Sequence, residues 1–185
     1  KDSVDVFVNG KILNAFLIEN LAEEGILSIA LPEGEKSVVL YFPTDVELLV
    51  RNFCIDGAWR PAAPKCCKVL WIGDSITQGV GSFMGGQTFV NLVSGKLGYE
   101  SLNQGIGGYV HLDCAIIPLE SFRPDKIVVA LGTNDSLEGL QERIDAFYRR
   151  LDEVYHGIPA LVITPVWRGD DPKKAGELGI KRELI

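Results

Sequence analysis

Histidine is nearly absent from this chain: His111 and His156 are the only two in 185 residues. Together with Cys54, Cys66, Cys67 and Cys114 they form no zinc-ligand spacing, so neither a metal nor any other cofactor is expected. The cysteines are too few for a disulfide framework in a chain this long and apolar, and their lack of pattern fits a reducing compartment. No run approaches the roughly 20 apolar residues that a bilayer span needs. Positive charge is in deficit, with 18 Lys and Arg against 25 Asp and Glu and a net charge of −7. That balance argues against nucleic acid as a partner, because phosphate binding needs a basic face. Internal repeats and low-complexity tracts are missing too. The chain begins at Lys1 with no signal-peptide pattern, which reads as a processing boundary and leaves a secretory leader upstream open.

What is present is ordinary for a globular protein, 46% hydrophobic and 23% charged. Residues 1 to about 58 read as antiparallel β. Val4–Val8 alternates and runs into Asn9-Gly10, a strong hairpin signal. Leu13–Ile18, Ile26–Leu31, Val38–Phe42 and Val46–Val50 follow as further strands, separated by turn residues. So small a sheet needs something to pack against. Arg60-Pro61-Ala62-Ala63-Pro64-Lys65 reads as a linker, since its prolines disfavour helix and central strand alike. The expected division is residues 1–62, a small sandwich-like β domain, and 63–185, an α/β domain.

After the linker the pattern alternates strand and helix. Val69–Ile72, Ser101–Asn103, Ile127–Leu131 and Ala160–Ile163 are expected strands. Thr88–Leu97 is an expected helix closed by Gly98, Leu112–Ile117 a short one stopped by Pro118, and Asp171–Leu184 a last one. The clearest periodicity runs from Ser136 to Tyr155, with Leu137, Leu140, Ile144, Phe147, Leu151 and Val154 on one face. Asp135 and Glu138 stand as a capping box at its start. Such alternation implies a parallel sheet with right-handed crossovers.

Polar loops follow each of the first three strands of this region: Gly73-Asp74-Ser75-Ile76, Asn103-Gln104-Gly105-Ile106-Gly107-Gly108 and Gly132-Thr133-Asn134-Asp135. In parallel sheets such loops gather at one edge, where ligands bind. Several known signatures are excluded. Val110 stands where a dinucleotide fingerprint needs its third glycine, and no phosphate loop with Gly-Lys-Ser/Thr occurs. Ser75 lacks the Gly-x-Ser-x-Gly elbow. Asn134-Asp135-Ser136 matches a glycosylation sequon, but an asparagine at a buried strand end is a poor acceptor.

The three loops together resemble the SGNH hydrolases, or GDSL-type esterases, over about Lys68 to Ile163. The resemblance implies a flavodoxin-like parallel sheet and acyl-ester hydrolysis. It makes Ser75 the nucleophile, with its own N–H, the Gly108 N–H and the Asn134 side-chain amide as oxyanion donors. Asp74 is expected to brace its loop. A β module ahead of such a domain looks like bacterial carbohydrate esterases, implying acetyl or other short acyl groups on sugars. Trp59, Phe83, Tyr109 and Trp167 are candidate cleft-wall aromatics.

One part of the family's pattern is missing. Its base lies on a late Asp-x-x-His segment, and this sequence has none. His111 is expected at the cleft wall or surface, and His156 at a helix end on the opposite edge of the sheet. The final Lys181–Ile185 reads as a helix without a cap, so the catalytic His and Asp are expected downstream. The 185 residues alone should then turn over an acetyl ester poorly. The competing reading is a non-catalytic carbohydrate-binding or inactive hydrolase-fold protein.

Overall fold

The computed structural model describes residues 2–167 and 172–185. A three-stranded antiparallel sheet opens the chain: β1 (Ser3–Val8), β2 (Lys11–Leu17) and β3 (Val38–Tyr41), in the order β2-β1-β3. The Asn9-Gly10 turn has φ of 51° and 76°, the left-handed pair that a two-residue hairpin with native twist requires.

Three strands form here, not the five expected. Residues 26–31 and 46–50 form no ladder, with Ile26 94% and Leu49 80% exposed. Apolar patterning states a face preference, but a strand also needs a free backbone edge. Both edges of β1 are taken by β2 and β3, and neither stretch pairs with the outer edges that these two leave open.

The sheet leans on the rest of the chain through a 3-10 turn at Gly85–Gln87. Asp5 is fully buried; its Oδ2 accepts the Gly86 N–H at 2.8 Å and its Oδ1 the Ser3 hydroxyl at 2.5 Å. A Cβ at Gly86 would lie 2.9 Å from the rings of both Phe7 and Tyr41, so only glycine lets the turn press so closely.

From Cys67 on, the fold is parallel α/β, as the alternation predicts. Strands β4 (Cys67–Gly73), β5 (Tyr99–Gly105), β6 (Lys126–Ala130) and β7 (Ala160–Val162) pair in the order β5-β4-β6-β7. The helices are α1 (Ser75–Gln78), α2 (Phe89–Leu97), α3 (Leu140–Val154) and α4 (Pro172–Leu184). Successive side chains of β4 and β6 enter opposite faces. Leu70, Ile72, Ile127 and Val129 pack with Phe147 and Leu151 of α3, while Val69, Trp71 and Val128 pack with Val90 of α2. Helix α2 is bounded as the sequence indicates: the Thr88 hydroxyl accepts the Asn91 N–H at 3.3 Å, and Gly98 takes φ of 69°.

Two helix expectations change. Residues 112–117 make only a 3-10 turn at Asp113–Ala115, because Ile116 turns into the core one residue later and Pro118 forbids continuation. Helix α3 starts at Leu140 rather than Ser136, and the capping box does not form, because Asp135 is committed elsewhere. Gly139 enters α3 at φ of 62°, and Arg143 reaches back to the carbonyls of Ser136 and Glu138 at 2.5 and 2.6 Å. The expected start of α4 at Asp171 lies outside the described residues. No helix among the described residues is long and apolar enough to cross a membrane.

Candidate active site

Register decides where the polar loops go. Gly73, the last residue of β4, pairs with Gly105 of β5 on one side and Ala130 of β6 on the other. All three strands therefore end at one level, and the three loops leave from the same edge. Gly73 has no room for a side chain, since a Cβ there would meet Thr77 Oγ1 at 2.0 Å and the Ala130 carbonyl at 2.9 Å.

Ser75 is the first residue of α1 and is half-buried. Asp74 precedes it as the N-cap, with Oδ1 accepting the Ile76 N–H at 2.9 Å. Burial holds the Asp74 carboxyl above its ordinary range, against the pull of the Ile76 N–H and the Thr133 hydroxyl. The buried carboxyl thus spans the first and third loops.

The second loop is fastened to α1. Asn103 donates to the Thr77 carbonyl at 2.8 Å and accepts the Gly105 N–H at 2.9 Å. The Ile106 N–H donates to the Gly73 carbonyl at 3.0 Å, and the Gly107 N–H to Gln78 Oε1 at 2.7 Å. A Cβ on Gly107 would sit 4.0 Å from that of Ser75, so this loop overlies the serine. Gly108 follows at φ of 77° in open space; the position demands glycine for its backbone angle.

Asn134 of the third loop donates to the Tyr109 carbonyl at 3.2 Å, which ties the third loop to the second. It is exposed rather than buried as its strand-end position suggests. From α4, buried Lys181 donates to the Thr133 carbonyl at 3.3 Å. Beneath Asn134 lies a cavity of about 250 Å³, lined by Thr133, Asp135, Lys174, Glu177 and Lys181 among others.

His111 is neither at the cleft wall nor on the surface. It is 1% exposed, edge-on to Phe147 at 5.2 Å, with Nδ1 3.0 Å from Asp135 Oδ2. Burial pushes the Asp135 carboxyl up, but the hydrogen bonds and charge of His111, then Arg143, outweigh it and hold it below its ordinary value. The carboxylate therefore only accepts, and His111 carries its proton on Nδ1. Partners 24 residues apart leave no local signal in the sequence, which is why this pair is not legible there.

His156 does lie beyond the far end of α3, exposed, with Nδ1 3.2 Å from Asp152. Of the candidate aromatics, Tyr109 packs against the core, whereas Trp59, Phe83 and Trp167 are exposed by 66%, 61% and 72%. Among the described residues no three His, Cys, Asp or Glu side chains stand together as a metal site.

Residues 71–183 match the GDSL-like lipase/acylhydrolase family. A protein of Bacteroides ovatus described as a GDSL-like lipase superposes at a TM-score of 0.80 and 20% identity, over all of this chain and 58% of that one. A family two carbohydrate esterase from Clostridium thermocellum, solved with cellohexaose, superposes at 0.72 and 17% identity, over 99% of this chain and 69% of that one. A salicylyl-acyltransferase from a tetracycline biosynthetic pathway follows at 0.61 and 18%, over 99% and 57%. At these identities the likeness is one of fold, and it includes the N-terminal sheet. No curated protein sequence matches the chain. The family match covers the three strand-end loops, α3 and nearly all of α4, and by it the chain belongs to the GDSL-like lipase/acylhydrolase family.

Proposed function

We propose that this chain carries the nucleophile and oxyanion site of a serine esterase acting on short acyl esters of carbohydrate, acetyl foremost. The observation that supports this best is the common strand-end level at Gly73, Gly105 and Ala130, which puts Ser75, Gly108 and Asn134 on one edge. A serine hydroxyl attacks an ester only when a base removes its proton, and the developing oxyanion needs fixed donors. In this reading Ser75 attacks, while the N–H groups of Ser75 and Gly108 and the Asn134 amide receive the oxyanion. Asp74 holds the turn that presents the serine.

His111 is buried out of solvent's reach and His156 lies beyond the other end of α3, so in this reading the base is a group other than these two histidines. Residues 1–62 form the β unit and 63–185 the hydrolase unit. The carbohydrate part of the proposal is supported by the shared fold of the Clostridium esterase that holds cellohexaose. The competing reading, a sugar-binding or inactive member of the fold, predicts binding without turnover.

The test is hydrolysis of acetylated xylan or an acetylated cello-oligosaccharide by the protein bearing this chain. Turnover lost in Ser75→Ala supports the esterase. Turnover that survives Ser75→Ala sinks it.

A further inference from the structure

Gln78, the last residue of α1, joins two distant parts of the chain through one carboxamide. Its Oε1 accepts the Gly107 N–H at 2.7 Å, and its Nε2 donates to the Thr44 carbonyl at 2.8 Å. Thr44 follows β3 of the N-terminal sheet, and Gly107 adjoins the glycine given the second oxyanion N–H. An amide has one donor end and one acceptor end. With a carbonyl on one side and an N–H on the other, only one orientation of Gln78 satisfies both partners.

The loop it holds needs holding. Gly107 and Gly108 are consecutive glycines, both exposed, and such a pair is the most mobile backbone a chain can make. The N–H of Gly108 belongs to the peptide that joins them. Its direction depends on the backbone angles at Gly107, and an oxyanion donor works only if it is aimed beforehand. On either side, Ile106 bonds Gly73 and Tyr109 bonds Ile106. The Gly107 N–H is the fastening between these two, and its partner Gln78 sits three residues after Ser75 on the same helix.

We infer that Gln78 is a positioning residue that aims the Gly108 N–H at the reacting carbon's oxygen, and that the Thr44 carbonyl holds Gln78 in place. The inference rests on the esterase reading. It makes the N-terminal sheet region part of the reaction site as well as a neighbouring module, because without Thr44 the carboxamide is anchored at one end only.

The test uses the protein bearing this chain, with 4-nitrophenyl acetate as substrate. Gln78→Met keeps the length of the side chain and loses both bonds. It is expected to lower kcat about 10- to 100-fold, somewhat less than outright loss of an oxyanion donor. KM should stay within about twofold on the same ground, since the oxyanion exists only after attack. Gln78→Glu keeps an acceptor for Gly107 and loses the donor to Thr44, so it should recover part of the kcat.

Amide hydrogen exchange of the free protein gives a second readout: Gly107 exchanges faster in Gln78→Met and stays protected in Gln78→Glu. Wild-type kcat or unchanged Gly107 exchange in Gln78→Met overturns the inference. So does a kcat loss matched by an equal loss of folded protein and not relieved by glutamate. If hydrolysis survives Ser75→Ala, the esterase reading is what has failed, and Gly107 exchange still decides whether Gln78 orders the loop.

Discussion

Asp135 grips His111 twice: Oδ1 accepts the His111 backbone N–H at 3.2 Å, and Oδ2 lies 3.0 Å from the ring Nδ1. Both side chains are out of solvent, and Arg143 Nε stands 3.7 Å from the same carboxylate. This cluster fixes the end of the third loop, one residue after Asn134. Removing the imidazole strands a buried carboxylate, and breaking a buried pair in this way costs about 3–5 kcal/mol. His111→Ala should therefore unfold at markedly lower denaturant. Folded His111→Ala should still hydrolyse acetyl esters in a Ser75-dependent way. A folded variant with no activity would instead make His111 the base.

Acid should find the same cluster. The Asp135 carboxyl titrates below its ordinary 3.8 in the folded chain. Between the folded and unfolded values the unfolded state binds more protons, so stability rises with pH there. The contribution is complete above about pH 5 and disappears as pH falls through the lowered folded value. Asp74 has the opposite sign: burial raises its pKa, so its ionised form disfavours the fold until acid neutralises it. Denaturant unfolding from pH 7 to pH 2 should show Asp135→Asn less stable than the parent above about pH 5, with the gap closing on acidification. A gap independent of pH would assign the loss to packing. Asp74→Asn keeps an N-cap oxygen and removes the penalty on the ionised form, so its stability relative to the parent should be most favourable at neutral pH and fall back as acid neutralises Asp74 in the parent.

The buried strands were legible because Val69–Ile72 and Ile127–Leu131 are unbroken apolar runs ending at glycine, and α2 because Thr88 and Gly98 cap it. The first and third of the site's loops were legible for the same reason, each sitting where a run stops, and the second was legible from its glycines. Residues 26–31 and 46–50 carry equally apolar patterns, yet an apolar pattern alone does not pair a strand, and neither stretch joins an outer edge of the β2-β1-β3 sheet. Asp135 read as a helix cap because Glu138 stands three residues on, and only the fold brings His111 to compete for it. Gln78 gave no sign at all, since its partners lie 29 and 34 residues away and both are backbone atoms.

Glycines of this chain should respond oppositely to alanine. A Cβ at Gly105 would lie 2.1 Å from the Gln78 nitrogen and 2.6 Å from the Thr77 carbonyl carbon. Both are backbone atoms of α1, which cannot swing aside as a side chain can. Gly105→Ala should cost about 3 kcal/mol or more, the upper range for overpacking, and displace α1 with Ser75. Gly95 lies inside α2 with nothing within 4 Å of a new Cβ. There alanine should stabilise by about 1 kcal/mol through helix propensity alone. Thermal melts of the two variants check both signs, and destabilisation by Gly95→Ala would contradict the packing described for α2.

Asn134 separates a donor's catalytic role from its structural one. Its bond to the Tyr109 carbonyl uses one amide hydrogen, and the side chain remains exposed, so the other hydrogen is left for an oxyanion. Exposed hydrogen bonds contribute little to stability, so Asn134→Ala should melt close to the parent. The esterase reading nevertheless assigns the residue a transition-state contact, whose loss costs about 10²–10³ in kcat. Ground-state binding should change little, leaving KM nearly constant. Asn134→Asp should be slower still, because a carboxylate offers no donor and places negative charge where negative charge develops. Steady-state kinetics on an acetyl ester decide the matter. Aspartate faster than alanine would mean that position 134 serves the incoming water or the sugar rather than the oxyanion.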